Sequence, residues 1–378
     1  MRVLHLWDVY APGLFDHSLA ICREAGIPAS LACMTLVDDG AEAPDVRFVR
    51  RRRLVGGSSG LAARVAARAR AMLDERRFRR LAEREIARFE PDILHVHYGT
   101  TAAILEPSEP VLSRPFLLSF YGFDISQGVR DARIRSAYQR LMKRRPLVHV
   151  LCAEAAERAI ELGAASERLV DANLPLPVEK YPYVGVEGAV ERWLIPARFV
   201  DKKGHEVLLR AFRAHLSDHP GDRLTCWGYG DGERLRRRVA ELGLADRVAV
   251  VNNEGQGPFD AAYLAQLRRH DAVLAPSIRT PRGDDEGGPA LTAVLAQVAG
   301  KPVIVSDFPG HERSVTHGVE GLVVRQGDSE ALREAMGELA ADPEAARRMG
   351  RAGRERALRE FDRSAYRDAL LGWYRSLA

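Results

Sequence analysis

The sequence predicts an α/β chain of two domains, each a doubly wound parallel sheet with helices on both faces. Three observations predict it. Short apolar runs alternate with longer helical patterns from end to end. The alternation breaks at Leu174-Pro175-Leu176-Pro177, stays broken through Tyr181-Pro182-Tyr183 and Gly185, and then restarts. Proline fixes φ and removes a donor, so this stretch reads as a linker. Finally, 378 residues give room for two domains, since domains usually hold about 100–200 residues.

In order, the strand candidates of the first half are residues 3–7, 29–36, 92–97, 115–120 and 147–151. A helix is expected near 15–25, and a long arginine-studded one over 61–90. Those of the second half are residues 193–197, 223–227, 248–251, 272–275, 302–306 and 321–324. The last helical pattern, 364–377, is expected to return to the first domain. The domains are read as 1–177 and 178–360, with 361–378 as the returning helix. Two such domains face each other across a deep cleft at the carboxyl ends of their strands, where doubly wound folds bind ligands.

Composition excludes several classes. There are 56 basic and 52 acidic residues, a net charge of +4, which argues against a dedicated nucleic-acid binder. Cys22, Cys33, Cys152 and Cys226 show no CxxC spacing, so no zinc ribbon or redox motif is expected and a reducing cytoplasm fits. Residues 1–7 form a short strand pattern, not a signal peptide. No run approaches the roughly 18 apolar residues of a membrane span. A soluble, cytoplasmic protein is expected, with at most a peripheral contact on the inner membrane face. The stretch from Arg50 to Arg88 is locally basic and could meet anionic lipid or a phosphorylated acceptor. Asp74, Glu75, Glu83 and Glu85 dilute it, which favours the plainer reading of a solvated helix face.

Three strand-to-helix turns carry chemistry. In Arg198-Phe199-Val200-Asp201-Lys202-Lys203-Gly204, an arginine and a lysine five apart can converge on one anion beside a helix amino terminus. Trp227-Gly228-Tyr229-Gly230-Asp231-Gly232 lets the backbone approach a ligand closely. In Asp284-Asp285-Glu286-Gly287-Gly288-Pro289, a helix start follows an acceptor carboxylate suited to sugar hydroxyls.

Together with Ala299-Gly300-Lys301-Pro302-Val303, Gly310-His311-Glu312 and Gly318-Val319-Glu320-Gly321, these turns resemble the retaining nucleotide-sugar glycosyltransferases of family four, with the GT-B fold. The resemblance is dense from about Trp193 to Leu332 and looser in the first half, where His95-Val96-His97-Tyr98-Gly99 and Ser119-Phe120-Tyr121-Gly122-Phe123-Asp124 carry it. It implies that Arg198 and Lys203 hold the donor diphosphate and that Glu286 contacts the donor sugar. Gly13, Gly228, Gly230, Gly287, Gly288 and Pro289 would let the backbone approach the donor. Tyr121 and Asp124 would line the sugar pocket; His97, at a strand end, is the choice for acceptor contact. The co-substrate is a nucleotide-diphosphate sugar, with no metal or other cofactor expected. His95, His97, His205 and His311 lack metal-ligand spacing, and His205 is expected on an exposed turn.

Two departures from the family pattern stand out. The family commonly has histidine where this chain has Tyr121, which can still donate a hydrogen bond to a sugar hydroxyl. The family's second glutamate, which grips the ribose, falls here on Val294 or Leu295. An aliphatic residue there costs roughly 1–3 kcal/mol of ribose binding unless another acceptor serves. The first expectation is a retaining glycosyltransferase of polysaccharide, exopolysaccharide or other glycoconjugate biosynthesis. The alternatives are a natural-product glycosyltransferase or a non-catalytic partner protein that binds a nucleotide sugar or glycan. A dinucleotide-dependent oxidoreductase is disfavoured, because Trp7-Asp8-Val9-Tyr10-Ala11-Pro12-Gly13 stands where GxGxxG would follow the first strand.

Overall fold

The computed structural model describes residues 1–10, 17–37, 46–52, 61–253, 261–281 and 288–378, with no account of the side chains of 37, 50–52 and 61–69. The chain divides into two compact units, residues 1–172 with 366–378, and residues 173–365.

Among the described residues the first unit holds seven strands: β1 (Val3–Tyr10), β2 (Ala29–Val37), β3 (Val46–Arg52), β4 (Ile93–His97), β5 (Phe116–Ser119), β6 (Leu147–Val150) and β7 (Leu169–Asp171). They lie in the order β3-β2-β1-β4-β5-β6-β7, and every pairing is parallel. β4, β5 and β6 are buried along their whole length, as parallel strands covered by helices on both faces must be. Phe78, Phe116, Phe120 and Tyr138 fill the space between sheet and helices.

The second unit repeats the plan with β8 (Arg192–Pro196), β9 (Arg223–Gly228), β10 (Val248–Asn252), β11 (Ala272–Ala275), β12 (Val303–Ser306) and β13 (Gly321–Val324). Their order is β10-β9-β8-β11-β12-β13, again all parallel. In both units the winding reverses beside the first strand, between β1 and β4 and between β8 and β11. Loops leave such a switch point in opposite directions, so the carboxyl ends there open into a crevice.

Two strands were absent from the sequence reading. β3 covers part of the basic run and forms a sheet edge, and β7 is three residues long. The proline-rich stretch is folded rather than loose. Leu174 and Leu176 are buried, Leu176 N donates to Phe361 O (2.9 Å), and Val184 N donates to Ala299 O (2.8 Å). The helix Arg363–Leu377 belongs to the first unit from Tyr366 onward. All four cysteines are buried, and none is in a disulfide. Among the described residues, no helix is long and apolar enough to cross a membrane.

Candidate active site

In the second unit, β8 runs out into the turn 198–204. Phe199 N donates to Tyr229 O (2.7 Å), tying this turn to the one after β9. Arg198 is exposed and Lys203 half-buried, on either side of a short 3-10 turn, Asp201–Lys203. Lys202 points inward, 6% exposed, and its carbonyl accepts from Ile278 N (2.8 Å). Gly204 then adopts φ +73° and opens the helix His205–His215. A Cβ on Gly204 would sit 1.9 Å from Pro276 O, just past β11, so only glycine allows this approach. A Cβ on Gly228 would likewise sit 1.9 Å from Ala197 O. Gly230 has φ +121°, and Asp231 caps the next helix by accepting from Arg234 N (3.0 Å).

Gly288 and Pro289 are buried ahead of the helix Leu291–Val298, and Gly310 packs directly on Gly288. Arg198, Lys203, Gly228, Gly230, Gly288 and Pro289 thus all lie at the carboxyl ends of the β8–β13 strands or at a helix start beside them. Glu286, Gly287 and Gly13 lie outside the described residues, as do Asp284 and Asp285. Val294 and Leu295 are fully buried in the core with Trp227, Tyr181 and Phe361. Behind the 198–204 turn lies a cavity of about 350 Å³ lined by Phe199, His205, Arg234, Arg238, Ile278 and Pro281. His205 is buried rather than exposed, and desolvation lowers its pKa to about 4. The turn that carries it packs inward with Phe199, against which the imidazole sits edge-on at 5.7 Å.

In the first unit the switch point is built from the ends of β1 and β4. Tyr98 has φ +67° and ψ +136°, a strained conformation for a non-glycine residue, costing roughly 1–3 kcal/mol. Gly99 follows it, and a Cβ there would meet the Tyr138 hydroxyl at 2.3 Å. Asp124 holds the turn together. Its Oδ2 accepts from Gly99 N (2.7 Å), and its Oδ1 from Tyr121 N (3.0 Å) and Gly122 N (2.9 Å). The carboxyl is fully buried, and burial pushes it up to about 6 against the pull of those N–H groups. Asp124, expected in the sugar pocket, therefore directs both oxygens at backbone. His97, expected at the acceptor, is also fully buried. Its ring stacks on Trp7 at 3.6 Å and its Nδ1 lies 2.8 Å from the Tyr121 hydroxyl. Tyr121 is half-buried.

Other groups here escaped the sequence reading. Asp8, at the end of β1, accepts from Thr100 Oγ1 (2.7 Å), and its backbone N donates to Thr101 Oγ1 (2.8 Å); burial raises its carboxyl above the ordinary range. His5 joins His95 and His97, with one ring nitrogen of each within 4.8 Å of the others. Only the parallel register of β1 with β4 brings together residues ninety positions apart. His215, His219 and Asp222 form a similar group in the second unit, where Asp222 Oδ2 accepts from Trp193 Nε1 and pairs with His215 Nε2, each at 2.8 Å. In the long helix Leu61–Phe89, Arg88 pairs with Glu85 and Arg77 with Asp74, while Glu75 takes Arg133. From residue 70 onward the acids therefore offset much of the basic face.

Residues 190–356 match the family described as glycosyl transferases group 1. Among curated relatives, one named for colanic acid biosynthesis, WcaL of Salmonella typhimurium, is 27% identical over 73% of this chain and 68% of its own. A GDP-mannose-dependent alpha-(1-6)-phosphatidylinositol monomannoside mannosyltransferase of Mycolicibacterium smegmatis is 31% identical over 43% of this chain and 42% of its own. Several matches thus span less than half of the relative's length. Anabaena HepE, solved with UDP, superposes with a TM-score of 0.73 at 16% identity, covering 100% of both chains. The two sheets are those of the GT-B fold.

Proposed function

We propose that the chain is a retaining glycosyltransferase. It moves a sugar from a nucleotide-diphosphate sugar to an acceptor hydroxyl in polysaccharide or other glycoconjugate biosynthesis. The observation that carries this reading is the 198–204 turn. It presents an exposed arginine and a half-buried lysine beside a helix amino terminus, on a backbone that glycine alone permits. A diphosphate needs several positive charges at once, and two cations with a helix terminus supply them. Complexes of HepE with UDP and with UDP-glucose, and the polysaccharide names among the relatives, support the donor and product classes.

In this reading the bond from the anomeric carbon to the diphosphate oxygen breaks as the acceptor oxygen arrives on the same face. The acceptor proton passes to the leaving phosphate. Arg198 and Lys203 lower the barrier by stabilising the charge that grows there. Glu286 contacts the donor sugar, and the family's ribose glutamate has no counterpart at Val294 or Leu295. Those buried side chains favour a second reading, a nucleotide-sugar-binding protein without turnover. A thermal-shift panel of UDP, GDP, ADP, TDP and CMP sugars, followed by transfer assays, tests both. Expected is a shift with one diphosphate series and turnover that falls at least a hundredfold in Lys203→Ala. A shift without turnover selects the second reading, and no shift with any donor rejects both.

A further inference from the structure

We propose that His215, His219 and Asp222 form a binding site for one divalent transition-metal ion, with zinc the best match. The site lies wholly in the second unit, and the inference does not depend on the transferase reading.

The ligands fall within one short stretch of sequence, from the end of a helix to the start of a strand. His215 closes the helix His205–His215, and backbone bonds carry the turn onward. His219 N donates to His215 O (3.0 Å), and Asp222 N donates to His219 O (3.2 Å). One helical turn separates the two histidines, the spacing that sets a pair of imidazoles on one face. Asp222 comes immediately before β9. A ring nitrogen from each histidine and a carboxylate oxygen of Asp222 thereby lie within 4.8 Å of one another.

Three features suit these groups to an ion. Asp222 is only 3% exposed, yet its Oδ2 takes both side-chain bonds, with Trp193 Nε1 and His215 Nε2 at 2.8 Å each. Among the described residues, nothing hydrogen-bonds its Oδ1, and no lysine or arginine pairs with it. The His219 ring, half-buried, makes no hydrogen bond and rests against His215 by stacking at 4.4 Å. Its edge can turn toward His215 and Asp222 without breaking a bond. Finally, the Trp193 N–H holds the carboxylate from behind, the outer contact that orients metal-ligating carboxylates.

A proton now bridges His215 Nε2 and Asp222 Oδ2. An ion takes its place, held by two imidazoles and a carboxylate at about 2.0–2.2 Å, with water completing the shell. Two nitrogens and one oxygen suit zinc or cobalt, whereas magnesium and calcium prefer oxygen alone. The ion ties the end of the helix His205–His215 to the start of β9. That is the amino end of the strands, away from the 198–204 turn, so the ion is a structural clamp and takes no part in holding a diphosphate.

Cobalt(II) is the probe, because its visible absorption reports the number and geometry of its ligands. The untagged full chain is stripped with a chelator and titrated with cobalt, then with zinc. Expected are one saturable cobalt per chain, the strong absorption of a low-coordinate site, and its loss as zinc displaces cobalt. His219→Ala, at a half-buried position, is expected to keep the wild-type circular dichroism and lose the absorption. Spectra of the wild-type chain labelled with ¹⁵N-histidine give a reading free of any variant, in which zinc shifts the ring nitrogens of both His215 and His219. No saturable binding overturns the inference, and so do unchanged signals from either ring. Cobalt binding that survives His219→Ala also overturns it, since the ion would then sit elsewhere, as at His5, His95 and His97.

Discussion

Replacing Asp124 with alanine separates a structural carboxylate from a ligand-binding one. The side chain accepts three backbone N–H bonds, from Gly99, Tyr121 and Gly122, at 2.7–3.0 Å, and all of it is buried. A hydrogen bond to a charged group is worth roughly 1.5–3 kcal/mol, and a buried donor left unpaired costs a similar amount. Three such losses give an upper range of roughly 4.5–9 kcal/mol. Backbone relaxation and entering water recover part, so about 4 kcal/mol is expected, near the largest effects single substitutions produce. The assay is hydrogen exchange at residues 99, 121 and 122. Protection at these amides should fall roughly 10²–10³-fold, since about 1.4 kcal/mol corresponds to tenfold. Amides of β11 and β12 serve as the unchanged control. Wild-type protection at the three amides, together with lost sugar-nucleotide binding, would refute the reasoning and make Asp124 a ligand contact.

Acid should destabilise the first unit. His5 falls from 6.5 to about 3 on folding, so the unfolded chain binds the extra proton and stability is lost as pH drops below about 6.5, by up to about 5 kcal/mol. Asp124 rises from 3.8 to about 6 and acts in the opposite sense, by about 3 kcal/mol. His95 and His97 reinforce His5, so the histidines win; denaturant curves at pH 7 and pH 5 that show higher stability at pH 5 would contradict this. Gly204→Ala combines φ +73° with a 1.9 Å approach to Pro276 O and should cost about 3 kcal/mol or more; an unchanged melting temperature would show that the turn gives way freely. Restoring the family's glutamate as Leu295→Glu buries an unpaired charge in a position with no exposure and should leave little folded protein. The same change at half-buried Thr292 should be tolerated, and equal expression of the two variants would argue against the packing described.

Much of the sheet was legible because buried parallel strands are short apolar runs. β4, β5 and β6 each show that pattern, and so do the strands of the second unit. β3 was not, because Val46-Arg47-Phe48-Val49-Arg50-Arg51-Arg52 sits at a sheet edge, and its run of arginines reads from sequence as a surface patch. The three residues of β7 are too few to show any period. The 198–204 turn was legible through residue types and spacing that are local. The burial of Lys202 and His205 was not, since a turn of this composition is as common facing water. The polar cluster was least legible of all. His5 and His95 meet only through strand register, and Tyr374 reaches them from the other end of the chain.

The helix Arg363–Leu377 contributes Tyr366, Leu370 and Tyr374 to the interior of a unit whose other residues end at 172. A ribosome therefore finishes the seven strands well before it makes the helix that closes them. At about 5–20 residues per second, the interval is roughly 10–40 s. Throughout it, His95 lacks the phenol that completes its pairing, and the surface meant for Leu370 lies open to water or a chaperone. Residues 173–365, which form the other unit, emerge within the same interval. The half of the protein synthesised first is thus the half that matures last.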